Sequence, residues 1–166
     1  MKRQRKKYQT PKKPWDKERI GTEKTLLKNF GLKTKREIWK TQAMLRKYRR
    51  LARELAAKRD EKKEKVLMDR LVRFGIVNKD ATLDAILGLT IEDFLNRRLE
   101  TVLHKKGLAN TAKQARQFIT HGQVVIDNRR VIYPSYMVPV DEEEKIIVKI
   151  SPVRKVASEN NGGTAS

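Results

Sequence analysis

Cationic and polar side chains lie on the outer faces of two predicted helices and on the turn that follows, between residues 97 and 130, and their types suit the binding of phosphate. An arginine can donate two parallel hydrogen bonds to a phosphate, whereas a lysine supplies a point charge. Acidic residues are scarce among them, Glu100 being the main exception. The pattern therefore favours a surface for a sugar-phosphate backbone over an ordinary charged helix face. The residues concerned are Arg97, Arg98, Lys105, Lys106, Lys113, Arg116, Gln117, His121, Gln123, Arg129 and Arg130.

Residues for covalent or metal chemistry are few. The chain has no cysteine and two histidines, which excludes disulfides, thiolate zinc sites and a cysteine nucleophile. The phosphate-loop, dinucleotide-loop and H-E-x-x-H zinc motifs are absent from the sequence. Asp69, Asp84 and Asp93 lie at helix starts or beside arginines, where capping and ion pairing account for them. We therefore expect no catalytic residue, no metal and no other cofactor.

The net charge indicates a polyanionic partner. The 166 residues include 40 Lys or Arg and 20 Asp or Glu, a formal net charge of +20. Residues 1–65 hold 25 basic and 8 acidic residues, whereas residues 91–140 hold 8 and 4. A basic arm joined to a better-packed module is typical of nucleic-acid binding, with an anionic membrane surface as the alternative. No apolar run is long enough for a transmembrane helix and no signal-peptide pattern occurs, so we expect a reducing, soluble compartment.

The first elements are a basic arm and a short helix. Residues 1–15 should form an irregular arm, because prolines interrupt helix and like charges repel one another. Tyr8 and Trp15 in this arm either stack on unpaired bases or anchor it to the protein body. A short helix over residues 22–30 should then begin at a Thr22 cap and stop at Gly31.

A long amphipathic helix should follow, opened by a capping box between Thr34 and Glu37. Ile38, Leu45 and Ala52 recur every seven residues and form one apolar stripe with Tyr48 and Leu55. The segment 64–74 can cover this stripe, and we favour such an intramolecular hairpin over a coiled-coil dimer. A short helix over 82–87 should follow it. The basic residues predicted to face RNA on the long helix are Arg46, Lys47, Arg49, Arg50 and Arg53.

The remaining chain predicts a compact α+β module. One helix should run from a Thr90 cap to Gly107, and a second should begin at a capping box between Thr111 and Gln114. Alternating apolar residues then predict short antiparallel strands joined by a tight turn at Asp127-Asn128. The apolar strand positions are Val124, Ile126, Val131, Ile146, Val148 and Ile150.

Several segments of the sequence follow a family pattern. Within the module these are RL at 98–99, GLA at 107–109, ARQFITHGQV at 115–124 and VIYPSY at 131–136. They resemble the RNA-binding module of the ribosomal protein S-four family. Outside it, the TPKKPW segment at 10–15, GLKTKREIW at 31–39 and LGLTIEDFL at 87–95 resemble the archaeal and eukaryotic branch of that family.

The resemblance implies a structural protein of the small ribosomal subunit. Such a protein binds 16S ribosomal RNA early, nucleates assembly of the subunit body and contributes to translational accuracy beside protein S-five. It would act in the cytoplasm, with neither a membrane nor a small-molecule substrate as partner. The family's RNA contacts correspond here to Arg97, Arg98, Lys105, Lys106, Thr111, Lys113, Arg116, Gln117, His121, Gln123 and Arg130.

The charge distribution and the module pattern also predict a domain division, and alternatives for the function remain open. We expect a basic arm and helical domain over 1–90, the RNA-binding module over 91–153 and a flexible polar tail over 154–166. The acidic loop at 141–144 replaces the Pro-Gly-Asp usual in relatives and should point away from RNA or towards a basic neighbour. One alternative is a ribosome-assembly factor on the same scaffold. The other is the targeting part of an RNA-modifying enzyme, although residues 1–90 offer no catalytic domain.

Overall fold

The computed structural model describes residues 6–149 of the chain. It is an α+β fold in which a mainly helical N-terminal region precedes a smaller unit of two helices and a sheet, as the sequence predicted. Parts of the predicted arm (1–5) and strand (Ile150), and the whole predicted tail (154–166), lie outside the described residues. The helices are α1 (Lys17–Asn29), α2 (Lys35–Lys58), α3 (Glu61–Arg73), α4 (Leu83–Gly88), α5 (Ile91–Asn96), α6 (Leu99–Lys105), α7 (Ala112–Thr120) and α8 (Val140–Glu143). The strands are β1 (Val124–Ile126), β2 (Arg129–Arg130) and β3 (Ile146–Val148).

Helix α2 is the longest described helix and lies at the centre of the N-terminal region. Its predicted apolar stripe is buried throughout, from Ile38 to Leu55. The predicted hairpin is confirmed, because Leu67 and Leu71 of α3 share a core cluster with the second half of α2. The short helices α4 and α5 complete this cluster, in which Tyr48 stacks on Phe94 with ring centroids 5.5 Å apart.

Helix α1 begins earlier than predicted. Asp16, and not Thr22, is its N-cap, and the Asp16 carboxylate accepts a hydrogen bond from the backbone N–H of Arg19 at 3.3 Å. Thr22 lies inside the helix, where its hydroxyl donates to the carbonyl of Arg19. Aspartate and threonine both suit an N-cap, so the Thr22 prediction placed the start of the helix too late.

The capping box predicted at the start of α2 does not form. Thr34 is the N-cap residue by backbone conformation, but its side chain makes no capping hydrogen bond. The Glu37 carboxylate points away from the helix end and pairs with arginines of the module. The ion pairs that Glu37 makes with two arginines stabilise this arrangement more than the single hydrogen bond to a backbone N–H in a capping box would.

The single helix predicted from Thr90 to Gly107 is broken into α5 and α6. At the break, Arg98 has extended backbone angles, with φ −71° and ψ 142°. The backbone groups freed there are satisfied by a neighbouring segment: Val138 N–H donates to Arg97 O at 2.9 Å, and Leu99 N–H donates to Tyr136 O at 2.8 Å. Apolar periodicity continues across the break, which is why the sequence alone indicated one helix.

The module has the predicted strands and turn. Its antiparallel sheet has the order β2-β1-β3, with Val125 opposite both Arg130 and Ile147. Asp127 and Asn128 both have positive φ, which is the geometry of a type I′ hairpin turn. The core beneath the sheet is built from α6, α7 and the inner faces of β1 and β3, around Leu99, Ile119 and Val124.

The two regions pack closely at the α1–α2 turn. Leu32 and Ile38 form a small core cluster with Leu95. Gly31 has φ +64°, and a Cβ placed on it would lie 2.7 Å from the Ala112 Cβ at the start of α7. A side chain there would therefore separate the N-terminal region from the module. The proposed domain division stays a prediction.

Candidate RNA-binding surface

Helix α7 presents one polar face to solvent. Lys113, Gln117 and His121 are exposed and lie four residues apart, so they follow one side of the helix and its C-cap. Thr111 caps the helix by accepting from Gln114 N–H at 3.2 Å. The Gln114 side chain accepts from the N–H of Asn110 and not from that of the cap residue, so the predicted box is shifted by one residue.

The β1–β2 turn extends this face with two arginines. Arg129 and Arg130 are exposed, and Arg130 Nη2 donates to the His121 carbonyl oxygen at 3.0 Å. The helix-to-strand junction and the turn are thereby held together, as the sequence predicted. Gln123 is half-buried at this junction, and its carbonyl accepts from Lys149 N–H. Lys105, at the end of α6, is exposed.

Arg98 and Arg116 are held in a buried ion-pair cluster. Arg98 Nη2 donates to Glu37 Oε2 at 2.6 Å and lies 3.6 Å from Glu100 Oε2. Arg116 donates to both Glu37 oxygens, at 3.1 and 2.9 Å, and to Glu100 Oε2 at 3.1 Å. Glu100 is fully buried and Arg98 is 6% exposed. The four residues connect α2 to α6 and α7, and we call them the ion-pair cluster.

The two carboxylates of the ion-pair cluster have opposite pKa shifts. Burial raises the pKa of Glu100 to about 7, more than the nearby charges of Arg116 and Arg98 lower it. Its Oε1 has no hydrogen-bond partner among the described residues. Burial also acts to raise the pKa of Glu37, but hydrogen bonds and charges from Arg116 and Arg98 outweigh it, so that pKa is lowered. Glu37 is the principal counter-ion of both arginines.

Arg97 and Lys106 contact the acidic segment. Arg97 donates to Glu143 Oε2 at 2.8 Å and to the Val138 carbonyl at 3.0 Å, while Lys106 Nζ donates to the Glu143 carbonyl. The segment predicted as a loop is instead the short helix α8. It packs beside Arg97 and Lys106 of the module. Tyr136 donates to Glu142 Oε2 at 2.6 Å and so connects this segment to the module loop.

The predicted residues of α2 lie on different sides of that helix. Arg46, Arg50 and Arg53 are exposed at spacings of four and three, so they form one face opposite the apolar stripe. Arg49 is half-buried and donates to the Leu89 carbonyl at 2.6 Å, which fastens α2 to α4. Lys47 is exposed on a third side, where it lines a groove.

Sequence reasoning missed this groove. It is an open cleft of about 980 Å³ between α2, α3 and the module loop around Pro134. The cations Arg36 and Lys40 of α2 and Arg70 of α3 line it but were not predicted as contacts. The spacing of Arg36, Lys40 and Lys47 already places them on one side of a helix. That signal was hidden among the many other cations of residues 1–65.

Other kinds of site find no support between residues 6 and 149. No group of histidine and acidic side chains in that range could hold a metal ion. No helix formed by those residues is long and apolar enough to cross a membrane.

The chain is similar to known ribosomal proteins. Residues 97–143 match the S4 domain family model, which begins at the break between α5 and α6. The small ribosomal subunit protein uS4 of Methanothermobacter thermautotrophicus is 47% identical over 91% of this chain and 91% of its own length. The uS4 of Saccharolobus solfataricus is 46% identical over 98% and 94%, and that of Ignicoccus hospitalis is 52% identical over 86% and 87%.

These identities extend far beyond the S4 domain, across α1 to α5 as well. Such coverage at this identity shows common membership of one family and not only a shared module. The chain therefore belongs to the uS4 family of small ribosomal subunit proteins.

Proposed function

We propose that this protein binds 16S rRNA through the exposed face of α7 and the adjoining β1–β2 turn. As a uS4 family member, it is a structural rRNA-binding protein of the small ribosomal subunit. It binds early, nucleates assembly of the subunit body and contributes to translational accuracy. The observation that carries the proposal is the continuous exposed face formed by Lys113, Gln117, His121, Arg129 and Arg130.

We assign the predicted site residues to two roles. The exposed residues around α7, the β1–β2 turn and α2, together with half-buried Gln123, contact the RNA backbone. Residues whose side chains bond to Glu37, Glu100, Glu143 or the Leu89 carbonyl position the elements that carry them. Burial and pairing of Arg98 support the second role, because an RNA phosphate would have to displace Glu37 from it. The proposed contacts are Lys105, Thr111, Lys113, Gln117, His121, Gln123, Arg129, Arg130, Arg46, Lys47, Arg50 and Arg53. The proposed positioning residues are Arg49, Arg97, Arg98, Lys106 and Arg116.

Recognition is by backbone and shape, with base contacts secondary. The exposed face offers guanidinium, ammonium, amide and imidazole groups, all of which can reach phosphate or ribose oxygens. A folded RNA junction places several phosphates close together, which suits two basic elements meeting at an angle. Each phosphate neutralised contributes about −0.7 to −0.9 to the slope of log affinity against log salt.

The test is equilibrium binding of the full chain to 16S rRNA across a range of salt concentrations. The double variant Lys113→Ala/Arg130→Ala should lower the magnitude of the slope by about 1.4–1.8, at 0.7–0.9 for each lost contact. Lys24→Ala/Lys28→Ala removes the same charge from exposed positions of α1 and serves as the control. Equal losses in the two doubles would show that net charge alone, and not this surface, determines binding.

The same proposal includes the location of the protein and its neighbours in the small subunit. The protein acts in the cytoplasm as part of the small subunit, contacts neighbouring proteins including protein S-five, and has no enzymatic activity. An assembly factor would leave before translation begins. Quantitative mass spectrometry of mature, translating subunits should therefore find the protein at one copy per subunit. Its presence in precursor particles alone would favour the assembly-factor alternative.

A further inference from the structure

The groove beside α2 has a strongly basic rim. Arg36, Lys40 and Lys47 line it from α2 at spacings of four and seven residues, and Lys63 and Arg70 line it from α3. Lys63 makes an exposed ion pair with Asp60 at 2.7 Å. The acidic residue in the lining is Glu37, which the ion-pair cluster already neutralises. Among the described residues, cations therefore face each other across the cleft, and the one acidic side chain in the lining is the neutralised Glu37.

The floor of the groove is apolar. It includes Met44, Tyr48 and Leu51 of α2, together with Met137 of the module. Met44 is 38% exposed, and Val66 on the α3 side is 70% exposed. An apolar floor between two basic walls matches a strand whose charged backbone lies outside and whose flat bases lie inside.

We propose that this groove holds an unpaired stretch of small-subunit rRNA, with its phosphates on the two rims and its bases on the apolar floor. The inference rests on the proposed function and deepens it. A duplex would not use the floor, because its base faces are hidden within the stack. An acidic protein segment fits the charge of the rims but has no row of flat groups to cover the apolar floor. Lys47 on the rim is also one of the proposed RNA contacts, which favours RNA.

Directed cleavage can locate the occupant, because the chain has no native cysteine. Val66→Cys, on the groove, and Ala57→Cys, exposed on another side of α2, each accept an iron chelate that generates hydroxyl radicals locally. In reconstituted small subunits, the Val66 probe should cut unpaired 16S rRNA nucleotides that the Ala57 probe leaves intact. The proposal would be overturned by any of four results: cuts confined to RNA helices, identical cuts from both probes, cuts in messenger RNA alone, or no RNA cleavage.

A matched pair of charge variants tests the rim. Arg36→Ala/Lys40→Ala, at two exposed positions of the groove, should reduce the salt slope for an unpaired small-subunit RNA fragment by about 1.4, at roughly 0.7 per single-stranded phosphate. Lys24→Ala/Lys28→Ala removes the same charge from α1 and should leave that slope nearly unchanged. If the groove double behaves like its control while the native chain still binds 16S rRNA with a steep slope, the groove assignment fails and the proposed function stands. If the native chain does not bind, the proposed function itself fails.

Discussion

Replacing Glu37 by Gln should destabilise the fold, because Glu37 is the principal counter-ion of two arginines. Among the described carboxylates, Arg98 would keep Glu100, 3.6 Å away, and Arg116 would keep its 3.1 Å contact with Glu100. Leaving a fully buried charge without its partner costs about 3–5 kcal/mol. The Glu37 side chain is 15% exposed and Glu100 remains, so we expect about 2–3 kcal/mol. For a chain of this size that corresponds to a melting temperature lower by roughly 4–12 °C.

The assay is thermal and urea unfolding of the full chain at neutral pH. Glu54→Gln is the matched control, because Glu54 lies on the same helix and pairs with Lys58 at an exposed site. An exposed pair contributes little, so this control should melt with the native protein. A double-mutant cycle of Glu37→Gln with Arg98→Met should give a coupling free energy of about 1 kcal/mol or more.

Two outcomes would refute the reasoning. If Glu37→Gln melts with Glu54→Gln, the ion-pair cluster does not stabilise the fold. If Glu37→Gln is destabilised but shows no coupling to Arg98, the Glu37 carboxylate stabilises the start of α2 locally. That result would support the capping box predicted from the sequence and not the ion-pair cluster.

Three further predictions concern other parts of the structure. Gly31→Ala should cost at least about 1–2 kcal/mol in unfolding experiments, since its left-handed conformation and contact with α7 exclude a side chain. Its control Gly21→Ala, within α1 and open to solvent, should instead stabilise by about 0.5–1 kcal/mol. Because the folded-state pKa of Glu100 is raised to about 7, the folded state holds more protons than the unfolded state above pH 4.5. The free energy of unfolding of the native protein should therefore fall by up to about 3 kcal/mol between pH 5 and 8, and Glu100→Gln should remove this fall. A free energy of unfolding that does not change over this pH range in the native protein would contradict the prediction. Trp15→Ala should leave the melting temperature unchanged, because Trp15 is 87% exposed. Trp39→Ala should lower the melting temperature, because the Trp39 indole N–H donates to buried Glu23, and equal effects of the two substitutions would contradict the structure.

Local patterns in the sequence predicted most of the elements. The stripe on α2, the covering helix α3 and the Asp127-Asn128 turn each depend on neighbours in the chain, and each is present in the structure. The break between α5 and α6 depends on a segment some forty residues later, whose backbone groups bond to Arg97 and Leu99. Such a distant contact leaves no trace in helical periodicity.

The sequence indicates which residue types could bind phosphate but not which of them pair within the protein. Arg98 and Arg116 look like phosphate ligands in the sequence, since arginine serves both phosphates and carboxylates. Their partner Glu37 lies more than sixty residues earlier and already fits a local capping pattern. Only the folded chain shows that these arginines join two regions, while lysines and arginines nearer the surface remain exposed.

The central claim is that the exposed face of α7 and the β1–β2 turn contacts rRNA in the assembled subunit. Ultraviolet crosslinking of intact small subunits, followed by mass spectrometry of the peptide–nucleotide adducts, tests it directly. The account predicts 16S rRNA adducts on peptides carrying Lys113, His121 and Arg129, and none on Arg98. Adducts on Arg98 with none on α7 or the turn would contradict it.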